Sequence, residues 1–131
     1  MIILPNYFQL ARIASYHSNF KHHKMGAVIV HRKPLSFGYN IYGKSHPKYS
    51  DQIKTFSIHA EISAIIHAQT DLDGSTIYIY RSVWYDHRRK ERIPALAKPC
   101  IHCYAALLEA GIVRAYYTIS EKPYYEMMEI K

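Results

Sequence analysis

The chain is short of cysteine, glycine and negative charge: two Cys and five Gly stand among 131 residues, with ten acidic side chains against 17 Lys and Arg. Each shortage excludes something. Two cysteines cannot staple a disulfide-dense scaffold, and if both serve one metal no disulfide remains, which suits a reducing cytosol. No apolar run approaches the roughly 20 residues of a membrane-spanning helix, so no membrane partner is expected. Met1–Leu4 is too short an apolar start to read as a signal peptide. Nothing is of low complexity, so no long disordered tail is expected, and residues 1–131 read as a single domain able to bury one sizeable core. The net charge of +7 favours anionic partners such as nucleotide phosphates or nucleic acid, and says nothing about fold. Tyrosine is abundant at thirteen copies. Most read as half-buried sheet and helix-edge residues, because a stacking role would need them exposed.

The informative stretch is Ser57-Ile58-His59-Ala60-Glu61, together with Lys98-Pro99-Cys100-Ile101-His102-Cys103. The pair reads H-x-E followed by P-C-x-x-C. Two cysteines three apart at the start of a helix share one face, and Pro99 suits the first turn of that helix. The positive end of the helix dipole favours the thiolates that a metal requires. Tyr104–Ala110 is helix-forming and stops at Gly111. With His59 the cysteines make a Cys₂His set, which leaves a tetrahedral zinc one open position for water. Zinc brings the pKa of such a water to about 7. Glu61, two residues from His59, is placed to carry its protons without binding metal. The pattern suits hydrolysis. Other readings of Cys-x-x-Cys are a redox pair or a closed structural zinc site. A closed site needs a fourth ligand, for which His102 is the candidate, but i+2 spacing points it away from the face of Cys100 and Cys103.

In chain order, Pro5 to about His22 reads as a first helix with Phe8, Ala11, Ile13, Ala14 and Tyr16 as its apolar stripe. The Lys21–Lys24 cluster reads as a solvated turn, or near a cleft as a contact to phosphate. Met25–Val30 is a buried strand, His31–Pro34 a turn and Leu35–Tyr39 the returning strand of a hairpin. Gly38-Tyr39-Asn40 ends it, with Asn40 bonded locally. Ile41–Phe56 reads as a long irregular loop, of the kind that serves as a lid or binding wall. A helix runs from His59 to about Thr70, with Ile62, Ile65 and Ile66 inward. Ser75–Tyr80 is a strand. Arg81–Lys98 carries Arg81, Arg88, Arg89, Lys90 and Arg92 among Trp84, Tyr85 and His87, the mixture of a single-strand-binding groove or of a solvated hairpin whose Trp84 packs on the body. Ile112–Ile119 is a strand and Lys122–Ile130 a short terminal helix. The alternation predicts an α/β fold, three-layer α/β/α, with a mixed central sheet of four to five strands. The His59 and Cys100 helices each link neighbouring parallel strands and lie on one side of it.

Four motifs in this order, Gly26-Ala27-Val28-Ile29-Val30, Gly38-Tyr39-Asn40, Ile58-His59-Ala60-Glu61 and Pro99-Cys100-Ile101-His102-Cys103, give the chain its resemblance to the cytidine and deoxycytidylate deaminase superfamily, over roughly residues 5 to 119. It most resembles the nucleotide-deaminase branch. The resemblance implies zinc held by His59, Cys100 and Cys103, Glu61 as proton shuttle, and hydroxide attack at C4 of cytosine with loss of ammonia. It also implies that the Ala60 N–H contacts the base and Asn40 the sugar. Ile41 follows Asn40 where deoxycytidylate deaminases usually carry Gly, so their allosteric regulation by nucleoside triphosphates is not carried over. The Glu61–Pro99 gap is longer than usual by the basic insertion. The C-terminus leaves no room for a fifth strand plus its connecting helix. Small phage-like nucleotide deaminases share the Lys-Pro-Cys-x-x-Cys ending, which fits a viral source and a host cytosol.

The favoured expectation is conversion of dCMP to dUMP by a cytoplasmic homo-oligomer. The 5′-phosphate would be met by His46, Lys48, Lys44 or Arg81, with Trp84 near the substrate. Deamination of polynucleotide, tRNA adenosine or single-stranded DNA cytosine, is the second reading, favoured by the basic surface. Against it, tRNA adenosine deaminases usually read Glu-Pro-Cys where this chain has Lys98-Pro99-Cys100. A catalytically silent zinc module is the third, and Glu61 argues against it.

Overall fold

The computed structural model describes residues 4–20, 23–43, 57–86 and 91–131. Helix α1 (Asn6–Ser15) leads into the hairpin β1 (Lys24–His31) and β2 (Lys33–Tyr39), then β3 (Ile41–Tyr42) and β4 (Ser57–Ile58). Helix α2 (Ala60–His67), the hairpin β5 (Thr76–Asp86) and β6 (Glu91–Pro94), helix α3 (Ile101–Glu109), β7 (Arg114–Thr118) and β8 (Tyr125–Glu129) complete the chain. The central sheet runs β2-β1-β5-β7-β8, with β6 paired to the far half of β5. Only β5 and β7 run parallel; the other pairs are antiparallel.

Strand alternation sorts the core into two layers. Val28, Val30 and Tyr80 meet Phe8 and Ala11 of α1 on one face. Ala27, Ile29, Ile77 and Ile79 meet Ala60 and Ala64 of α2 and Leu107 of α3 on the other. The three-layer α/β/α arrangement is therefore present, with a mixed sheet. Two glycines set how closely the layers approach. A Cβ on Gly26 would collide with the α1 backbone at Ala11 and Ser15, and one on Gly38 with the α2 backbone at Ala60 and Ala64.

Four expectations are corrected. First, α1 ends at Ser15, not near His22, because the next groups bond elsewhere. The Ser18 hydroxyl accepts from the Phe20 N–H, and Asn19 clamps both the N–H and C=O of Tyr42, the local competition that breaks helices. Second, the terminal helix expected over Lys122–Ile130 is instead strand β8. Glu and Met favour helix, but the unpaired edge of β7 outweighs that preference. Pairing satisfies the β7 backbone, packs Met128 on the core and buries Ile130. Third, a turn closed by Tyr124 N–H to Glu121 C=O connects β7 to β8, so the extra strand needs no connecting helix. Fourth, α3 does link the neighbouring parallel strands β5 and β7, but α2 carries the chain from β2 to β5 with antiparallel β1 between them. Both helices still lie on one side.

The expected long loop has paired ends, Ile41 opposite Ile58, while residues 44–56 lie outside the described residues. The basic insertion opens as a hairpin in which Trp84 pairs with Arg92. At the other end of the chain's second half, α3 closes as expected. Gly111 at φ +86° lets Ile112 N–H reach Leu107 C=O and Gly111 N–H reach Leu108 C=O, the Schellman pattern. No helix among the described residues is long and apolar enough to cross a membrane.

Gly26→Ala should cost about 1–3 kcal/mol of stability through overpacking, seen as a fall of several degrees in melting temperature. Because α1 lies on the face away from α2 and α3, the metal content of the folded fraction should be unchanged.

Candidate active site

Both ends of the expected site are helix starts. His59 occupies the N-cap of α2, and Cys100 the N-cap of α3. Pro99 stands just before that cap and not, as the spacing predicts, inside the first turn. Buried Ile62, Cys103 and Ala106 pack together between the two helices and hold their starts side by side. The His59 Nδ1 atom is 3.3 Å from Cys103 Sγ and 3.9 Å from Cys100 Sγ. The Cys103 N–H donates to Cys100 Sγ at 3.4 Å. These three side chains are the metal-competent cluster among the described residues, their donor atoms all within 4.8 Å of one another. His102 is exposed and lies outside the cluster.

The donor set fits zinc. Bonds of about 2.3 Å to sulfur and 2.0 Å to nitrogen place tetrahedral ligands roughly 3.5–3.8 Å apart, which the two His59–sulfur separations bracket. Protonation in the metal-free protein follows the same contacts. A hydrogen bond from Cys103, then one from His59, pulls the Cys100 thiol down to about 3. The bond to Cys100, then burial, pushes Cys103 up. The bond to Cys100 also raises His59, against the opposing effect of burial. One thiolate is thus in place before any metal arrives, and the positive helix ends favour it.

Glu61, in the first turn of α2, is 2% exposed. Its carboxyl meets the Cys103 thiol, and burial raises its pKa. Oxygen Oε1 is buried with no partner. Orphaned buried carboxylate oxygens are rare because they forfeit hydration. This one sits beside a cluster of metal donors, with an acceptor left open.

The remaining candidates fall into three groups. Ala60 is fully buried at the first position of α2, where helix geometry leaves its N–H without an intrahelical acceptor. Asn40 brackets the start of β1: Oδ1 accepts from Met25 N–H at 2.8 Å and Nδ2 donates to His23 C=O at 2.9 Å. That leaves one N–H and one lone pair of its amide uncommitted by these two bonds. Arg81 donates to Leu96 C=O and to His23 Nδ1, each at 3.1 Å. Asn40 and Arg81 are therefore joined through His23, a residue that no motif singled out. The signal was within reach only as one member of the basic run before β1. His46, Lys48 and Lys44 lie outside the described residues. Trp84 is placed by its backbone, and its side-chain surroundings lie outside the described part.

Replacing Cys103 or His59 with Ala should strip zinc from the purified protein, measured by atomic emission against protein concentration. Replacing exposed His102 with Ala should leave the zinc content at the wild-type value. Loss of zinc in the His102 variant would contradict the three-ligand assignment.

Residues 4–119 match the family described as the cytidine and deoxycytidylate deaminase zinc-binding region. An uncharacterized deaminase of the luxG 3′ region of Aliivibrio fischeri is 31% identical over 118 residues, 84% of this chain and 68% of the relative. Among solved structures, the apo dCMP deaminase of cyanophage S-TIM5 aligns with a TM-score of 0.60 at 24% identity, covering 89% of this chain and 82% of that one. The same enzyme in complex with dCMP and dUMP aligns equally well, at 22% identity over 88% of this chain and 80% of that one. A cytidine deaminase from Burkholderia pseudomallei also aligns at 0.60, with 14% identity over 97% of this chain and 94% of that one. These structural likenesses are ones of fold. The sequence match runs through both halves of the metal cluster, and with it the chain belongs to the zinc-binding cytidine and deoxycytidylate deaminase family, its activity hydrolytic deamination.

Proposed function

We propose that the protein converts dCMP and water to dUMP and ammonia. The observation that carries this reading is the unpartnered Oε1 of Glu61, buried beside the His59, Cys100 and Cys103 donors. These three residues would hold zinc, which when bound acts as a Lewis acid and brings the pKa of water to about 7. Glu61 takes a proton at its open oxygen and returns it to the departing amine. The C4–N bond of cytosine breaks and a C4–O bond forms; of water's two protons one ends on ring N3 of the uracil product and the other joins the two amine hydrogens that leave as ammonia. The Ala60 N–H, free of helix bonding, orients the base from the start of α2. Asn40 contacts the sugar through the part of its amide that His23 and Met25 leave open. Arg81, with His46 and Lys48, neutralises the 5′-phosphate, and Trp84 walls the substrate.

A nucleotide monophosphate suits a chain of charge +7, since a single dianion is drawn by the general field and held by a few cations. The cyanophage enzyme of the same fold is described with dCMP and dUMP, which is the same substrate chemistry. The reading places the enzyme in the cytoplasm, where its thiol ligands stay reduced, and as a homo-oligomer.

The deciding experiment is ammonia release from zinc-loaded protein given cytidine, deoxycytidine, CMP, dCMP, dCTP, guanine and a short single-stranded cytosine oligonucleotide. The highest kcat/KM is expected on dCMP. Turnover confined to the oligonucleotide would overturn the mononucleotide reading, and its affinity should then fall steeply with salt as phosphates are neutralised. Glu61→Gln should keep its zinc while kcat falls by about 10²–10⁴-fold.

A further inference from the structure

The sheet ends on one side at β2, and the outward backbone groups of an edge strand normally lack partners. Here they do not. The Tyr39 N–H donates to Ser63 Oγ at 3.2 Å, and His67 Nδ1 lies 3.2 Å from Phe37 C=O. A carbonyl can only accept, so Nδ1 is the donor and carries the proton in this contact. Ser63 and His67 are four apart on α2, on one face of the helix, and Ser63 Oγ is 3.5 Å from His67 Nδ1. One residue nearer the hairpin turn than Phe37, the Ser36 hydroxyl donates to Ala64 C=O at 2.6 Å. That carbonyl is among the last four of α2, and Ala68, its ordinary helical partner, bonds to Ile65 C=O instead. Gly38, between these contacts, lets the helix backbone rest on the strand. The imidazole of His67 also packs beside the Tyr39 ring, centroids 6.3 Å apart.

Three hydrogen bonds thus tie Ser63, Ala64 and His67 of α2 to Tyr39, Ser36 and Phe37 of β2. The helix has eight residues, so at 1.5 Å per residue it is about 12 Å long. A rod that short cannot slide or rotate at one end without doing so at the other. Its opposite end carries His59 and Glu61. Ser63 is 1% exposed, and no step of the deamination needs its hydroxyl or the imidazole of His67. We infer that Ser63 and His67 are positioning residues, which use the free edge of β2 as a ruler to set the axial position and rotation of α2, and so where His59 and Glu61 stand relative to Cys100 and Cys103. The inference rests on the metal site and on deaminase activity, not on which nucleotide is the substrate.

The test uses His67→Ala, Ser63→Ala and His67→Asn in the full chain. Asparagine can place an amide N–H near where Nδ1–H stands. Each variant is loaded with cobalt(II), whose ligand-field bands report donor geometry without any substrate. Turnover per bound zinc is measured on whichever member of the nucleotide panel the wild type deaminates. The expected result for His67→Ala and Ser63→Ala is altered cobalt bands and kcat reduced by roughly tenfold or more, since a displacement of 1 Å can cost about 10²-fold. KM should stay within about twofold, and His67→Asn should recover both bands and kcat. His67 is exposed, so its alanine variant should fold even if Ser63→Ala does not. Wild-type cobalt bands and wild-type kcat per zinc in His67→Ala, with only a lower melting temperature, would overturn the inference. So would a loss that His67→Asn does not restore.

Discussion

The start of α2 and the start of α3 face one another, and this places two positive helix ends in contact. Alone that is a repulsive arrangement. It becomes favourable because His59 and the cysteines cap it: Cys100 is held as a thiolate by Cys103 and His59, and both helices direct their dipoles toward it. A divalent cation with two thiolates adds no net charge, so the helix ends that stabilise the thiolates still do so in the loaded site. Glu61 joins the group as a fourth ionisable residue whose carboxyl burial keeps toward the protonated form. The electrostatics that hold the thiolate suit the arrangement to a metal, with a buried carboxyl beside it.

Everything around the site serves to keep those ends adjacent. The connection through α3 joins parallel neighbours, which fixes α3 over β5 and β7. The longer connection through α2 passes over antiparallel β1 and has no such constraint from its neighbours. Its position comes instead from the bare backbone of Gly38, from Ser36, Ser63 and His67 along the β2 edge, and from Ile62 against Cys103 and Ala106. Ser63 and His67 also occupy two backbone groups of a strand edge that would otherwise be open to another chain. One set of contacts closes the sheet and aims the helix.

How much of this the amino-acid sequence reveals depends on the range of the forces involved. The metal cluster is legible because metal ligation demands particular atoms at short fixed spacings, so His59, Cys100 and Cys103 announce themselves, with Glu61 two residues from the first. Strands β1, β2, β5 and β7 are legible from β-branched and aromatic runs, and the end of α3 from Gly111. What sequence misses is decided at long range. Tyr-Glu-Met-Met-Glu carries a helical preference, and only the vacant edge of β7, paired from Thr118 with Tyr125 to Arg114 with Glu129, turns it into a strand. His17, Ser18 and Asn19 could continue α1, and only Tyr42, presented by β3, draws Asn19 off. Ser63 and His67 look like ordinary polar positions among isoleucines, because the carbonyl and amide they bind belong to a strand some 24 to 30 residues earlier.

The same distinction bears on substrate recognition. The residues that do chemistry stand on two rigid helices whose relative position is set by buried packing. Those expected to meet the nucleotide are drawn from the ends of strands and from their connections: Asn40 after β2, Arg81 in β5 and Trp84 farther along it. Asn40 and Arg81 are not independent, because both bond to His23. A side-chain change at His23 would release the Arg81 guanidinium from the imidazole, while the His23 backbone carbonyl still holds the Asn40 amide and Glu61 and the metal donors stay where α2 and α3 hold them. Substrate choice in this fold can therefore drift at the strand ends without disturbing the deamination chemistry, which is why the metal motif identifies the reaction more sharply than it identifies the nucleotide.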